Sequence, residues 1–446
     1  MIKRNLLTTI SAVMAAVMLT ACGASESTGN QTSGKTDNAA GSTVSSSISS
    51  TDSVSGTNAS LSSGKSESVN TEELFSKRDL DQTPDLSDAE TVTVESGRTY
   101  TISEAGTYVF TGTASDSTIQ VETDKEDKVQ LVLDGLSITN DSFPAIYVVS
   151  CDKCFITTSG DSSLTVTGSF VNDGDTKTDA VIYSKDDLVF NGTGKLTIVS
   201  NTGNGISGKD DIKFTGGTYD IGSALDAIEA NDSIAVYDGN FTISASKDGL
   251  HSENSDDNTV GWIYIKNGTF DIKAKSDGIQ GTTYVQIDGG DITIQAREGI
   301  EATYVQINGG NININASDDG INASSKSSIY SLPVIEFNGG YTVIVVGDGD
   351  TDGVDSNGNI IVNGGTIDVT GKMSTFDYEY SAEFNGGTII ANGEEVDEIP
   401  QSMMGGPGGG FGGQGGFGGQ GGFGGQGGFG GPGGFKGVKD NNMTTE

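Results

Sequence analysis

The stretch Val285-Gln286-Ile287-Asp288-Gly289-Gly290-Asp291-Ile292-Thr293-Ile294-Gln295-Ala296-Arg297-Glu298-Gly299-Ile300 is answered, one unit later, by Val305-Gln306-Ile307-Asn308-Gly309-Gly310-Asn311-Ile312-Asn313-Ile314-Asn315-Ala316-Ser317-Asp318-Asp319-Gly320-Ile321. Each copy holds two short runs that alternate with a period of two, the signature of strands, on either side of a glycine. Working outward, the acid-glycine-apolar tripeptide closing each copy recurs as Asn204-Gly205-Ile206, Asp226-Ala227-Ile228, Asp248-Gly249-Leu250, Asp277-Gly278-Ile279 and Asp352-Gly353-Val354. The step is 21 or 22 residues, stretched to 29 and 33 where loops are inserted. A fixed period of this size means a solenoid.

A second mark keeps the same beat: Gly217, Gly239, Gly268, Gly290, Gly310, Gly340, Gly365 and Gly387 each sit between two alternating segments, as a turn needing positive φ requires. The unit reads as strand, glycine corner, strand, acidic corner, with no stretch fit for a crossover helix. A single-stranded parallel β-helix is the economical fold, each coil stacking about 4.8 Å on the last. A β-sandwich would instead want hairpin turns. Val236, Ile265, Ile287, Ile307, Phe337 and Val362 are expected one above another in the core.

The ends differ in kind. Residues 1–21 carry Lys3 and Arg4, then an apolar run ending at Leu19-Thr20-Ala21-Cys22. They resemble a bacterial lipoprotein signal, with Cys22 as the lipidated residue. Residues 22–70 are rich in Ser, Thr, Gly and Asn and read as a tether; 71–90 is a lead-in; 91–398 is the β-helix. Residues 399–446 form a glycine-rich tail with Phe411, Phe417, Phe423, Phe429 and Phe435 six apart, a spacer by composition. The expected protein is an exported monomer, lipid-anchored on the outer face of the cell membrane.

A formal net charge of −37 excludes nucleic acid and disfavours anionic surfaces except through a bridging cation. Cys151 and Cys154 offer too few ligands for structural zinc, and Cys154 aligns with core position Leu188.

The acids of the repeat fall on one line in a β-helix, and Glu229, His251, Gln280, Glu301, Asn322 and Asp355 on a neighbouring one. Carboxylates one coil apart repel, and a shared Ca2+ relieves them. The candidate ligands are Asp226, Glu229, Asp248, Asp277, Glu298, Glu301, Asp319, Asp348, Asp350, Asp352 and Asp355. Asp348 to Asp355 opens like an EF-hand loop but has Asn359 at the twelfth position, so we read a calcium loop only. His251 is expected as a solvated corner residue.

After each acidic corner the next strand begins with an outward residue, aromatic in three successive coils: Trp262, Tyr284 and Tyr304. Tyr264, Gln286 and Gln306 follow two positions on. Aromatic faces beside amides suit sugar rings, and the insertions Ser252 to Gly261 and Ala323 to Pro333 are placed to wall this strip.

Lys128 to Asn140, Pro144-Ala145-Ile146-Tyr147, Ala180 to Leu188 and Asn191-Gly192-Thr193-Gly194-Lys195-Leu196, taken with the Asp-Gly-Ile coils, resemble a bacterial family of extracellular carbohydrate-binding parallel β-helix domains, related in shape to pectate lyases. The resemblance spans roughly Thr91 to Asn392. It implies a right-handed β-helix, calcium at coil corners, and binding of pectin- or cellulose-type polysaccharide without cleavage. The alternatives are a calcium-dependent lyase using Arg297 or Lys247 as base, a glycoside hydrolase drawing on the carboxylates, and a structural or adhesive surface protein.

Overall fold

A computed structural model describes residues 71–349 and 351–401. Its strands are almost all parallel and stack coil upon coil, as the repeat requires. A representative coil runs Tyr284–Ile287 on the first face, turns at Gly290, runs Asp291–Ala296 on the second, then Glu298–Ala302 on the third, and returns to the first at Tyr304–Ile307. The third face corrects the sequence reading. The tripeptide expected to form a corner leads into a strand of its own, starting at the acid in Asp277–Gly281 and Glu298–Ala302 and at the apolar residue in Leu250–Ser252 and Ile321–Ala323, so each coil is a triangle with three ladders.

Alternation on the second face follows from its register: Ile292, Ile294, Ile312 and Ile314 point inward and are sealed from water, while Asp291, Thr293, Asn311 and Asn313 point out. The expected ladder of Val236, Ile265, Ile287, Ile307, Phe337 and Val362 is present and fully buried. Aromatic rings stack in the same manner, Phe241 on Phe270 at 4.6 Å and 3°. Removing one such side chain would cost about 2–5 kcal/mol.

All eight corner glycines have positive φ, Gly290 at 101°. Beside them runs an amide ladder that the sequence reading did not anticipate: Asn338 Nδ2 donates to Asn308 Oδ1, Asn363 to Asn338 and Asn385 to Asn363, each at 2.8 Å. The glycines of the third face answer a different need. A Cβ on Gly299 would sit 2.4 Å from Ile314 Cγ2, so the second-face isoleucine of the next coil already fills that space.

Before the coils, Thr71–Leu74 makes one short helical turn and the chain straps across the first face. Phe75 packs on Tyr264 and Tyr237, the Arg78 guanidinium lies 4.4 Å over Phe155, and Gln82 Nε2 donates to Thr215 O. At the other end Glu394–Val396 folds back antiparallel on Thr388–Ala391.

Candidate functional site

The acids that lead into the third-face strands form a column tied in part by hydrogen bonds. The Asp248 N–H donates to Asp226 Oδ1, the Asp277 N–H to Asp248 Oδ1, and the Asp352 N–H to Asp319 Oδ1, at 2.8–2.9 Å. One oxygen of Asp226, Asp248 and Asp319 thus ties its coil to the next, while the other oxygen of Asp226 and of Asp248 faces Lys247. Three residues on, Glu229, His251, Gln280, Glu301, Asn322, Asp355 and Asp377 pair in one continuous register.

Three clusters result, each with ligand atoms within 4.8 Å of one another: Asp226, Asp248 and His251; Asp277, Glu298 and Glu301; and Asp352, Asp355 and Asp377. In the first, Lys247 Nζ lies 2.8 Å from Asp226 Oδ2 and 3.5 Å from Asp248 Oδ2. His251 is buried, not solvated as expected, because Asp226 and Glu253 grip its two ring nitrogens at 3.4 and 3.2 Å. Burial alone would make His251 a weaker base, but these hydrogen bonds raise its pKa to about 9 and hold Asp226 well below the usual carboxylate range.

In the second cluster Arg297 reaches Asp277, Glu298 and Asp318, and Lys326 pairs with Glu301. Asp277 is still pushed up to about 7, by burial first and then by Glu298, Asp248 and Glu301. The third cluster has no basic partner among the described residues. Burial, with Asp319, Asp352, Asp377 and Glu379 around it, raises Asp355 to about 7; burial likewise raises Asp319, to about 6.

The remaining metal candidates separate from these clusters. Glu229 accepts hydrogen bonds from Asn204 and Ser207. The loop expected from Asp348 to Asp355 is divided: Asp348 is exposed and paired with Lys372, whereas Asp352 and Asp355 belong to a strand and face Asp377. Asp350 and Cys22 lie outside the described residues. Asp377 went unnoticed because its coil reads Ser374-Thr375-Phe376, without the acid-glycine mark, although it keeps the i+3 phase.

On the first face Trp262 and Tyr284 stack at 5.5 Å and 7°, while Tyr304 tilts onto Tyr330 of the second insertion at 5.3 Å. Tyr264 is a correction. It points outward as expected, yet Phe75 of the strap leaves it no exposure and its hydroxyl donates to Asp288 Oδ2. Gln286 and Gln306 are also buried, tied to Asp288 and Glu336, so these three residues support the strip without offering it a surface. The two insertions do not stand apart as walls. Ser327 Oγ and Ser328 Oγ donate to the backbone oxygen and side chain of Asn258, joining the loops over the coils between them. Cys151 and Cys154 are free thiols in the core, Cys154 paired in register with Leu188.

The profile of a family described as carbohydrate-binding domain-containing protein matches residues 96–353. A carbohydrate-binding domain-containing protein of Acetivibrio thermocellus is 32% identical over 203 residues, covering 45% of this chain and 71% of that one. A solved structure, titled as the polysaccharide lyase-like protein from C. thermocellum in a gadolinium derivative, is similar at 30% identity. It covers 48% of this chain and 93% of its own, with a TM-score of 0.45.

Proposed function

This chain belongs to the family of carbohydrate-binding domain-containing proteins, and from that premise we propose that it binds extracellular polysaccharide without cleaving it, using calcium at the third-face column to hold acidic sugars. The observation that carries the reading is the cluster of Asp352, Asp355 and Asp377 beside Asp319, which no lysine, arginine or histidine neutralises among the described residues.

The residues fit the ion. All donors are oxygens, as calcium prefers, and one coil below Asp355 the Asn322 Oδ1 is buried without a hydrogen-bond partner. Asp319, Asp352, Asp355 and Asp377 would hold the ion, which would supply positive charge for a uronate carboxylate. The chain's own part is to keep that charge on a rigid ladder. A pectin or polygalacturonate type of ligand suits this chemistry, and Trp262, Tyr284 and Tyr304 border it on the adjoining face, the first two stacked on each other and the third packed on Tyr330.

Binding is favoured over elimination by the state of Arg297. Burial would loosen its proton, but Glu298 and Asp277 overrule that and raise its pKa above the ordinary arginine value, so it is a poor base. Export as a lipoprotein anchored through Cys22, with residues 22–70 as tether, completes the proposal and places the domain outside the cell.

Affinity electrophoresis in gels containing polygalacturonate tests it. Retardation is expected with calcium and its loss with chelator; equal mobility in gels with and without the polymer would sink the reading. A parallel spectrophotometric assay on polygalacturonate should show no unsaturated uronate.

A further inference from the structure

Outward residues of the second face are mostly polar, with Val199 and Ile390 as single exceptions, and one described coil departs at all three outward positions. They run Thr269, Asp271 and Lys273 in one coil, then Asp291, Thr293 and Gln295, then Asn311, Asn313 and Asn315, and after the departing coil Thr366, Asp368 and Thr370. Between the last two stands Tyr341–Val346, which turns Tyr341, Val343 and Val345 toward solvent. Tyr341 is 46% exposed and Val345 38% exposed. Among the described residues no packing calls for apolar side chains there, since the inward residues Ile344 and Val346 already fill the core. An apolar step on a polar sheet marks a contact surface.

Beside this step lies an open groove of about 320 Å³ lined by Asp291, Thr293, Asn311, Asn313, Tyr341 and Val343. The groove follows from side-chain length: Tyr341 stands over shorter neighbours in register, with Asn311 directly opposite and Asp291 one coil further. Asn311 Nδ2 donates to Asp291 Oδ1 at 2.8 Å, which fixes the amide. Three coils span about 10 Å and two outward residues along a strand about 7 Å, the footprint of one or two pyranose rings.

We propose that this groove is a second glycan subsite, in which the Tyr341 ring stacks on the C–H face of an uncharged sugar and Asn313, Thr293 and Asp291 bond its hydroxyls. The proposal rests on the carbohydrate-binding reading above and adds to it a separate site on another face. Asp291 accepts hydrogen bonds from hydroxyl groups but repels a carboxylate, and among the described residues no cluster of acids is present here to recruit a cation, so the occupant is a neutral polysaccharide such as a β-glucan. The third-face column and this groove lie on different faces of the same coils and would take different polymers.

The test uses the full chain in affinity gels containing hydroxyethylcellulose, with and without chelator, beside gels containing polygalacturonate. Wild-type retardation by the neutral polymer is expected to persist in chelator. Tyr341→Ala should weaken it at least fivefold, Tyr341→Phe should keep it, and both should match wild type in polygalacturonate and in thermal midpoint. Unchanged retention of Tyr341→Ala in the neutral gel overturns the subsite. So does wild-type binding of polygalacturonate alone. A chain retarded by neither polymer overturns the broader reading as well.

Discussion

The coils around Asp226 and Asp277 and the coils around Asp352 carry the same ladder of carboxylates but neutralise it differently. In the lower coils the chain supplies its own cations, Lys247, His251, Arg297 and Lys326. In the upper coils it supplies none among the described residues. Part of the difference traces to the residue before the acid: Lys247 precedes Asp248 and Arg297 precedes Glu298 below, whereas Asp318 and Thr351 stand there above. That position contributes to whether a coil neutralises its own acids, together with His251 and Lys326, which enter from elsewhere in the repeat and from the second insertion.

The comparison can be broken most sharply at the upper cluster. Calcium at about one hundred times its dissociation constant should stabilise the wild type by about 2.7 kcal/mol, and Asp352→Asn with Asp355→Asn should abolish the rise in melting temperature. A double variant that still responds fully would place the ion elsewhere. The second break opens a closed site. Arg297→Met leaves Asp277 and Glu298 facing each other, a loss of about 1–2 kcal/mol once its solvent exposure is allowed for, and millimolar calcium should restore most of it. Thermal melts with and without calcium read both variants.

Conversely, Thr351→Arg should close the upper site, raising the calcium-free midpoint by about 1–2 °C and blunting the calcium response. If the response survives, the residue before the acid is not what decides. The smallest effect is that of pH. Asp355 and Asp319 hold protons in the native state that the unfolded chain has already released, so in chelator stability should fall as pH rises from about 4 to 7. His251 adds a further decline from about 6.5 toward 9, through the same sign of linkage. Melts across that range with calcium present should flatten the acidic limb and leave the His251 limb.

Much of this was legible in sequence. Ile292 and Ile294, or Ile312 and Ile314, declare two faces because strands buried on one side alternate. The third face hides because Asp277–Gly281 and Glu298–Ala302 are short and carry glycine where a side chain would strike Ile294 or Ile314, so alternation has nothing to show. The acid column was visible from its period, whereas Asp377 escaped when serine replaced the acid. The sealing of Tyr264 left no local trace, since Phe75 reaches it from 189 residues away. Tyr341 was readable in principle, since Tyr341, Val343 and Val345 take all three outward second-face positions of their coil.

The backward turn of Glu394–Val396 on Thr388–Ala391 has a consequence for the molecule in a crowd. A stack of parallel coils has no intrinsic last member, and its open edge would accept a strand from another copy and grow into a fibre. Reversing one short strand and dressing it with Glu394 and Glu395 presents arriving chains with the wrong polarity and a like charge. That reversal closes the edge of the second face to a copy arriving in parallel.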